Sequence, residues 1–151
     1  MQPAIGVLDP GVYTALIPVQ SAVASNSPRS ATATLTVVEP VPASAKLFVN
    51  GIEYPTAVEF KWNTTYSIEV RLYEADGSQI TRLPPGKLIT MTMIFASYGT
   101  IGPSTSVPDG FHFTAVIGNS SYGGGTLTIY YGTVSNPTTR RLKDISLTVS
   151  F

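Results

Sequence analysis

The sequence predicts an all-β protein built as an antiparallel β-sandwich of Greek-key, jelly-roll or immunoglobulin-like type. Three observations carry that prediction. Several segments alternate apolar and polar residues with a period of two, and no segment sustains a helical period. Asn-Gly, Asp-Gly and Pro-Pro-Gly punctuate those segments at hairpin spacing. The composition is rich in Thr, Ser, Val, Gly and Pro while only 12% of residues are charged, which suits pleated strands and turns rather than solvated helices.

Taken in chain order, Val12–Val19 and Ala31–Val38 are expected as two strands around the polar bend Ser25-Asn26-Ser27-Pro28. Glu39-Pro40-Val41-Pro42 follows as a stiff extended linker, so residues 1–43 form an N-terminal hairpin segment and residues 44–151 the sandwich domain. A two-stranded hairpin buries too little surface to stand alone. It must complete the sandwich of 44–151, pair with another subunit, or be the C-terminal half of an upstream domain. A faint internal echo joins Gly11, Thr14, Ser25-Asn26 and Leu35-Thr36-Val37 to Gly125, Thr128, Ser135-Asn136 and Leu147-Thr148-Val149, although the spacings differ.

Asn50-Gly51, between Phe48-Val49 and Ile52-Glu53, is the favoured pair for a type I′ hairpin, which needs positive φ at both central residues. Thr65–Tyr73 is the clearest strand, with Tyr66, Ile68, Val70 and Leu72 on the inner face and Ser67, Glu69 and Arg71 on the outer. Asp76-Gly77 turns the chain into Gln79–Arg82, and Pro84-Pro85-Gly86 sets the next corner. Lys87–Phe95 puts Ile89, Met91, Met93 and Phe95 on one face. Phe111, Phe113 and Ala115 share the inner face of a further strand, leaving His112 and Thr114 opposite. Leu127, Ile129 and Tyr131, then Ile145, Leu147, Val149 and Phe151, repeat the pattern. Two polar connections, Ser97–Asp109 and Gly118–Gly125, are expected as the long loops in which recognition resides on such scaffolds.

Several function classes are disfavoured by the same residues. Nine basic residues balance nine acidic ones, so no long-range field draws the chain to nucleic acid or an anionic membrane. Without cysteine there is no disulfide, thiol catalysis or thiolate metal site. The opening MQPAIGVLDPGVYT lacks the charged and apolar regions of a signal peptide, and no stretch reaches the ~20 apolar residues of a membrane-spanning helix. The single histidine, His112, belongs to a strand face, and no G-x-S-x-G elbow is present. Acidic residues are scattered, and Glu74-Ala75-Asp76 lacks the spaced ligand set of a calcium loop. The reading is therefore of a non-enzyme with no catalytic residues, metal or cofactor.

What remains for recognition are Tyr98 and Tyr122, placed in the two long loops, whose rings are candidate platforms for sugars, while Trp62, Tyr66 and Tyr131 belong to the core or its rim. Asn63-Thr64-Thr65 and Asn119-Ser120-Ser121 match the N-glycosylation sequon. Arg140-Arg141-Leu142-Lys143, just before the last strand, reads as a charged guard against stray edge pairing.

Ala33-Thr34-Leu35-Thr36-Val37-Val38-Glu39-Pro40 and Ile145-Ser146-Leu147-Thr148-Val149 resemble the closing strands and linkers of immunoglobulin-like and jelly-roll modules in cell-surface and virion structural proteins. The charge-poor, Thr- and Tyr-rich texture is similar to that of archaeal-virus capsid, turret and appendage proteins. The resemblance implies a non-enzymatic structural module on a virion or at an extracellular or cell surface, forming homo-oligomers with other structural protein subunits. The alternative is a glycan-binding or adhesin domain using the loop tyrosines.

Overall fold

The computed structural model describes residues 8–20, 22–23, 25, 29–93, 99–103, 107–118 and 123–150, of which 99–103 are described as backbone alone. They form twelve strands and no helix: β1 (Gly11–Val19), β2 (Arg29–Val37), β3 (Ser44–Val49), β4 (Ile52–Glu53), β5 (Ala57–Lys61), β6 (Thr64–Tyr73), β7 (Gln79–Ile80), β8 (Lys87–Met93), β9 (Gly99–Pro103), β10 (His112–Ile117), β11 (Gly123–Thr133) and β12 (Arg140–Ser150). The chain divides into two compact units, Met1–Pro40 and Val41–Phe151.

The first unit is an antiparallel hairpin of β1 and β2, paired from Gly11 opposite Val37 to Val19 opposite Arg29. Its register sorts the side chains onto two unlike faces. Tyr13, Ala15 and Ile17 lie with Leu35, Ala33 and Ala31, whereas Thr14, Leu16 and Pro18 lie with Thr34, Thr32 and Ser30. Within this hairpin Ile17 keeps 50% and Val19 54% of its surface exposed, since two strands alone cannot cover an apolar face.

The second unit is a two-sheet sandwich. One sheet runs β4-β3-β6-β10-β9, with β7 added beside β6, and the other runs β5-β12-β11-β8. With β3, β6, β8, β9, β10, β11 and β12 taken as strands A to G, the sheets read A-B-E-D and C-F-G, the constant-type immunoglobulin arrangement. Between jelly-roll and immunoglobulin order, the chain has the second. Between the sheets lies one core in which Leu47, Ile68, Val70 and Leu72 of the first sheet meet Phe60, Leu127, Ile129, Ile145 and Leu147 of the second. The alternation seen in the sequence is thus the inward face: Ile68, Val70 and Leu72 are wholly buried, as are Leu127 and Ile129, while Tyr66, Met91 and Met93 pack at its rim.

Turns behave as their residues require. Asn50 has φ 49° and Gly51 φ 81°, both in the left-handed region of a type I′ hairpin between β3 and β4. Gly77 and Gly86, at φ 86° and 76°, close the corners around β7 and before β8.

Five expectations change. The pairing is not wholly antiparallel, because β5 lies parallel to β12 from Ala57 opposite Ser146 to Lys61 opposite Ser150. That strand is too short for its alternation, Val58 and Phe60 inward, to stand out in the sequence. Ser97–Asp109 is not a continuous loop: Gly99–Pro103 pairs with β10 as an edge strand, where a terminal proline costs no ladder bond. Gly123-Gly124-Gly125 is not loop either but opens β11, opposite Val149, Thr148 and Leu147. The strand expected at Gln79–Arg82 is limited to Gln79–Ile80. Finally, Arg140–Lys143 belongs to β12 itself rather than preceding it. Phe95 and Phe151 lie outside the described residues. Among those described, no helix is long and apolar enough to cross a membrane.

Candidate functional site

The outer face of the sheet β3-β6-β10 gathers a dense set of charged and aromatic side chains. Register creates it: Glu69 of β6 lies between Phe48 of β3 and His112 of β10, and Arg71 lies opposite Lys46. Alternation that sends Ile68, Val70 and Leu72 inward necessarily sends Glu69 and Arg71 out.

Arg71 forks onto Glu69, with Nη2 donating to Oε2 at 3.1 Å and Nε to Oε1, and its guanidinium lies 4.0 Å from the centre of the Phe48 ring. The two bonds from Arg71 hold the Glu69 carboxyl below its usual range, against the opposing effect of partial burial, and raise the guanidinium in turn. Lys46 bridges to Glu53 at 3.4 Å and stands 5.7 Å from the Tyr73 ring centre.

At the entry to β10, one carboxylate organises the chain. Asp109 Oδ1 accepts from the amides of Phe111 at 2.8 Å and His112 at 3.0 Å, and Oδ2 lies 2.8 Å from His112 Nδ1. Burial disfavours the charged form, but these two amides and the imidazole outweigh it, so the Asp109 carboxyl sits below its ordinary value. Gly110, at φ 84°, gives the backbone the left-handed step that lets Asp109 reach forward. A shallow cleft of about 130 Å³ opens here, floored by Val70 and Ile80 and rimmed by Glu69, Arg71, Asp109 and His112.

This arrangement can hold a small polar group, and across the outer face it ties β6 to β3 through Arg71 on Phe48 and Lys46 beside Tyr73, while Asp109 and His112 brace the entry to β10. Each carboxylate in it already has a cationic or amide partner. Among the described residues no cluster of three His, Cys, Asp or Glu side chains is placed to hold a metal ion. Sequence reading placed His112 on the outer face but missed its link to Asp109 and the Glu69–Arg71 fork. The Asp-Gly-Phe-His spacing, in which an aspartate reaches the amides two and three residues on, was the available signal.

Of the sequence-derived site residues, Tyr98, Tyr122 and Asn119 lie outside the described residues. Asn63 is described: it is exposed, has φ 51° and forms the tight turn between β5 and β6. Nothing brings it to the cleft. At the opposite sheet Arg141 and Asp144 form an ion pair, with Nε to Oδ1 at 2.8 Å, beside Thr128, whose hydroxyl donates to the same Asp144 Oδ1 at 2.9 Å. Since β5 covers β12 only from Ser146 onward, Arg140–Lys143 occupies the uncovered edge, where charge discourages foreign pairing.

No family model matches this sequence, and no curated protein does. Among solved structures, the chain is similar to a fragment of the surface-layer protein SbsC comprising domains 4 and 5, at 20% identity and a TM-score of 0.50, covering 94% of this chain and 66% of that one. It also aligns with SbsC domains 4–9 at 21% identity and a TM-score of 0.48, covering 93% of this chain and 18% of that one. At this identity the first match speaks to the fold alone: this chain shares an all-β architecture with domains of a cell-surface structural protein.

Proposed function

We propose that the protein is a non-enzymatic structural module of a cell-surface layer, working through β-sandwich contacts with further subunits of the same assembly. The observation that carries this reading is the fold match over 94% of the chain to two domains of a surface-layer protein. Two features of the chain support it. Strand faces rich in threonine and poor in charge suit burial between subunits better than free solvation. The charged cleft at Asp109 and His112 is internally neutralised, as expected of a braced surface rather than of an acid–base centre. Residues 1–43 act as the connecting segment and 44–151 as the building block. Tyr98 and Tyr122 are the recognition residues in this scheme.

The test is the solution mass of the whole chain by light scattering over a concentration series, with electron microscopy of the concentrated sample. Defined oligomers growing into sheets or arrays are expected. A strict monomer at every concentration, with no ordered array, overturns the reading.

A further inference from the structure

The β1–β2 hairpin pairs in the same register as β11–β12 as far as Ile17–Ala31 and Ile129–Lys143, beyond which β11–β12 carries a bulge between Ile129 and Tyr130 that β1–β2 lacks. In β1–β2, Gly11 stands opposite Val37, Tyr13 opposite Leu35 and Ala15 opposite Ala33. In β11–β12, Gly123 stands opposite Val149, Gly125 opposite Leu147 and Leu127 opposite Ile145. Aligned on these pairs, one shift along the chain carries Gly11 onto Gly123, Ile17 onto Ile129 and Leu35-Thr36-Val37 onto Leu147-Thr148-Val149. This replaces the alignment on Gly125, whose spacings disagreed.

The faces correspond as well as the pairs. Leu35 and Val37 take the places of Leu147 and Val149, which point into the sandwich core, and Thr34 and Thr36 take those of the exposed Ser146 and Thr148. Where β11 has small Gly125 beside large Leu127, β1 has large Tyr13 beside small Ala15, so volume is redistributed on a face that stays apolar. Yet Leu147 and Val149 are buried where Leu35 and Val37 are only half-buried, and Ile129 is wholly buried where its counterpart Ile17 keeps 50% of its surface exposed. The difference is that β12 has β5 beside it, β11 has β8, and a whole sheet lies over both.

We infer that β1–β2 is the closing hairpin of a second sandwich of this design. Its apolar face is shaped to be covered by a sheet of the β3-β6-β10 kind, with a β5-like strand parallel to β2 and a β8-like strand antiparallel to β1. The partner is thus a β-sandwich body lacking its last two strands, and recognition is by strand addition at two edges together with burial of one face.

The chain contains such a body, which makes the inference testable in the full-length protein. Residues 123–149 are replaced by a copy of residues 11–37, a segment of equal length. Within the copy, Tyr13→Gly, Ala15→Leu and Ala33→Ile restore the volumes of Gly125, Leu127 and Ile145. A control carries a copy taken one residue later, residues 12–38, with the three matched positions changed in the same way, so that the Thr face turns inward elsewhere along the strands. Thermal unfolding is followed by circular dichroism, and amide exchange by NMR. The in-register chimera is expected to unfold in one cooperative transition with slow exchange in the copied strands, and the shifted control to lose that transition. An in-register chimera that fails to fold, or one no different from the shifted control, overturns the inference. So does a concentration-dependent dimer of the parent chain abolished by Ile17→Lys alongside a misfolded chimera, which would make a second copy the occupant.

Discussion

Single side chains carry the corners of this sandwich, and two of them make sharp predictions. Asp109 ties the backbone of Phe111 and His112 to its own carboxylate. Because its folded-state ionisation lies below the ordinary value, its contribution is fully present above about pH 4, the usual aspartate range, and is lost as pH falls through the lower folded value. Asp109→Ala is expected to lower stability by about 1 kcal/mol at neutral pH, measured by urea unfolding. The variant should lose less stability on acidification than the parent, and equal acid sensitivity would show that the carboxylate does not act this way. Gly132 makes a stronger case. A methyl group there would lie 2.3 Å from the Asn136 carbonyl oxygen and 2.5 Å from that of Pro137, both backbone atoms, the first of them held by the paired bonds between Thr133 and Asn136. Gly132→Ala should therefore cost about 3 kcal/mol, at the upper end of overpacking effects, while alanine at exposed Gly118, where nothing stands within 4 Å, should leave the melting temperature nearly unchanged.

At the level of strands, legibility followed geometry. Long strands with one wet and one dry face, β6 and β12, were evident from alternation, because every second residue had to be apolar, and β11 was evident from the alternation of Leu127, Ile129 and Tyr131 although Thr128 between them is buried too. The type I′ turn at Asn50-Gly51 was equally evident, because few other residues tolerate positive φ twice. Strands made by their neighbours were not. Gly99–Pro103 and Gly123–Gly125 carry too little side chain to show a period and become strands by pairing with β10 and β12. The cleft was half legible: alternation placed His112 outward, but its neighbours Glu69 and Arg71 arrive from a strand more than forty residues away in sequence, which only the register specifies. Short β5 depends on tertiary support, since Phe60 stacks at 4.8 Å on Tyr66 and the Tyr66 hydroxyl accepts from the Lys61 amide at 2.8 Å. Tyr66→Phe keeps the ring and removes that acceptor. It should cost about 1 kcal/mol and speed amide exchange at the end of β5 far more than in β11; uniform acceleration would argue against a local role.

For the molecule as a whole, the near absence of net charge and an isoelectric point of about 6.5 leave little repulsion between copies near neutral pH. Light scattering across pH should show association strongest near that value and weaker two units to either side; a flat profile would place the attraction in apolar contacts alone. The parallel strand has a further consequence, a mechanical one. β5 lies toward the start of the sandwich unit and β12 at its end, joined over five residue pairs, with backbone bonds from Ser146 to Thr56 and from Trp62 to Ser150 closing the ladder at either end. Tension drawn through the unit from β3 to β12 pulls two parallel strands in opposite senses along their length, so the rungs between them are loaded in shear and must fail together. The β11–β12 hairpin, pulled apart from Gly123 and Val149, yields one rung at a time. Single-molecule pulling through residues 44 and 150 should thus meet a higher rupture force than pulling through 123 and 149, a resistance set by the unfolding barrier rather than by equilibrium stability. A sandwich closed in this way behaves as a tension-bearing link.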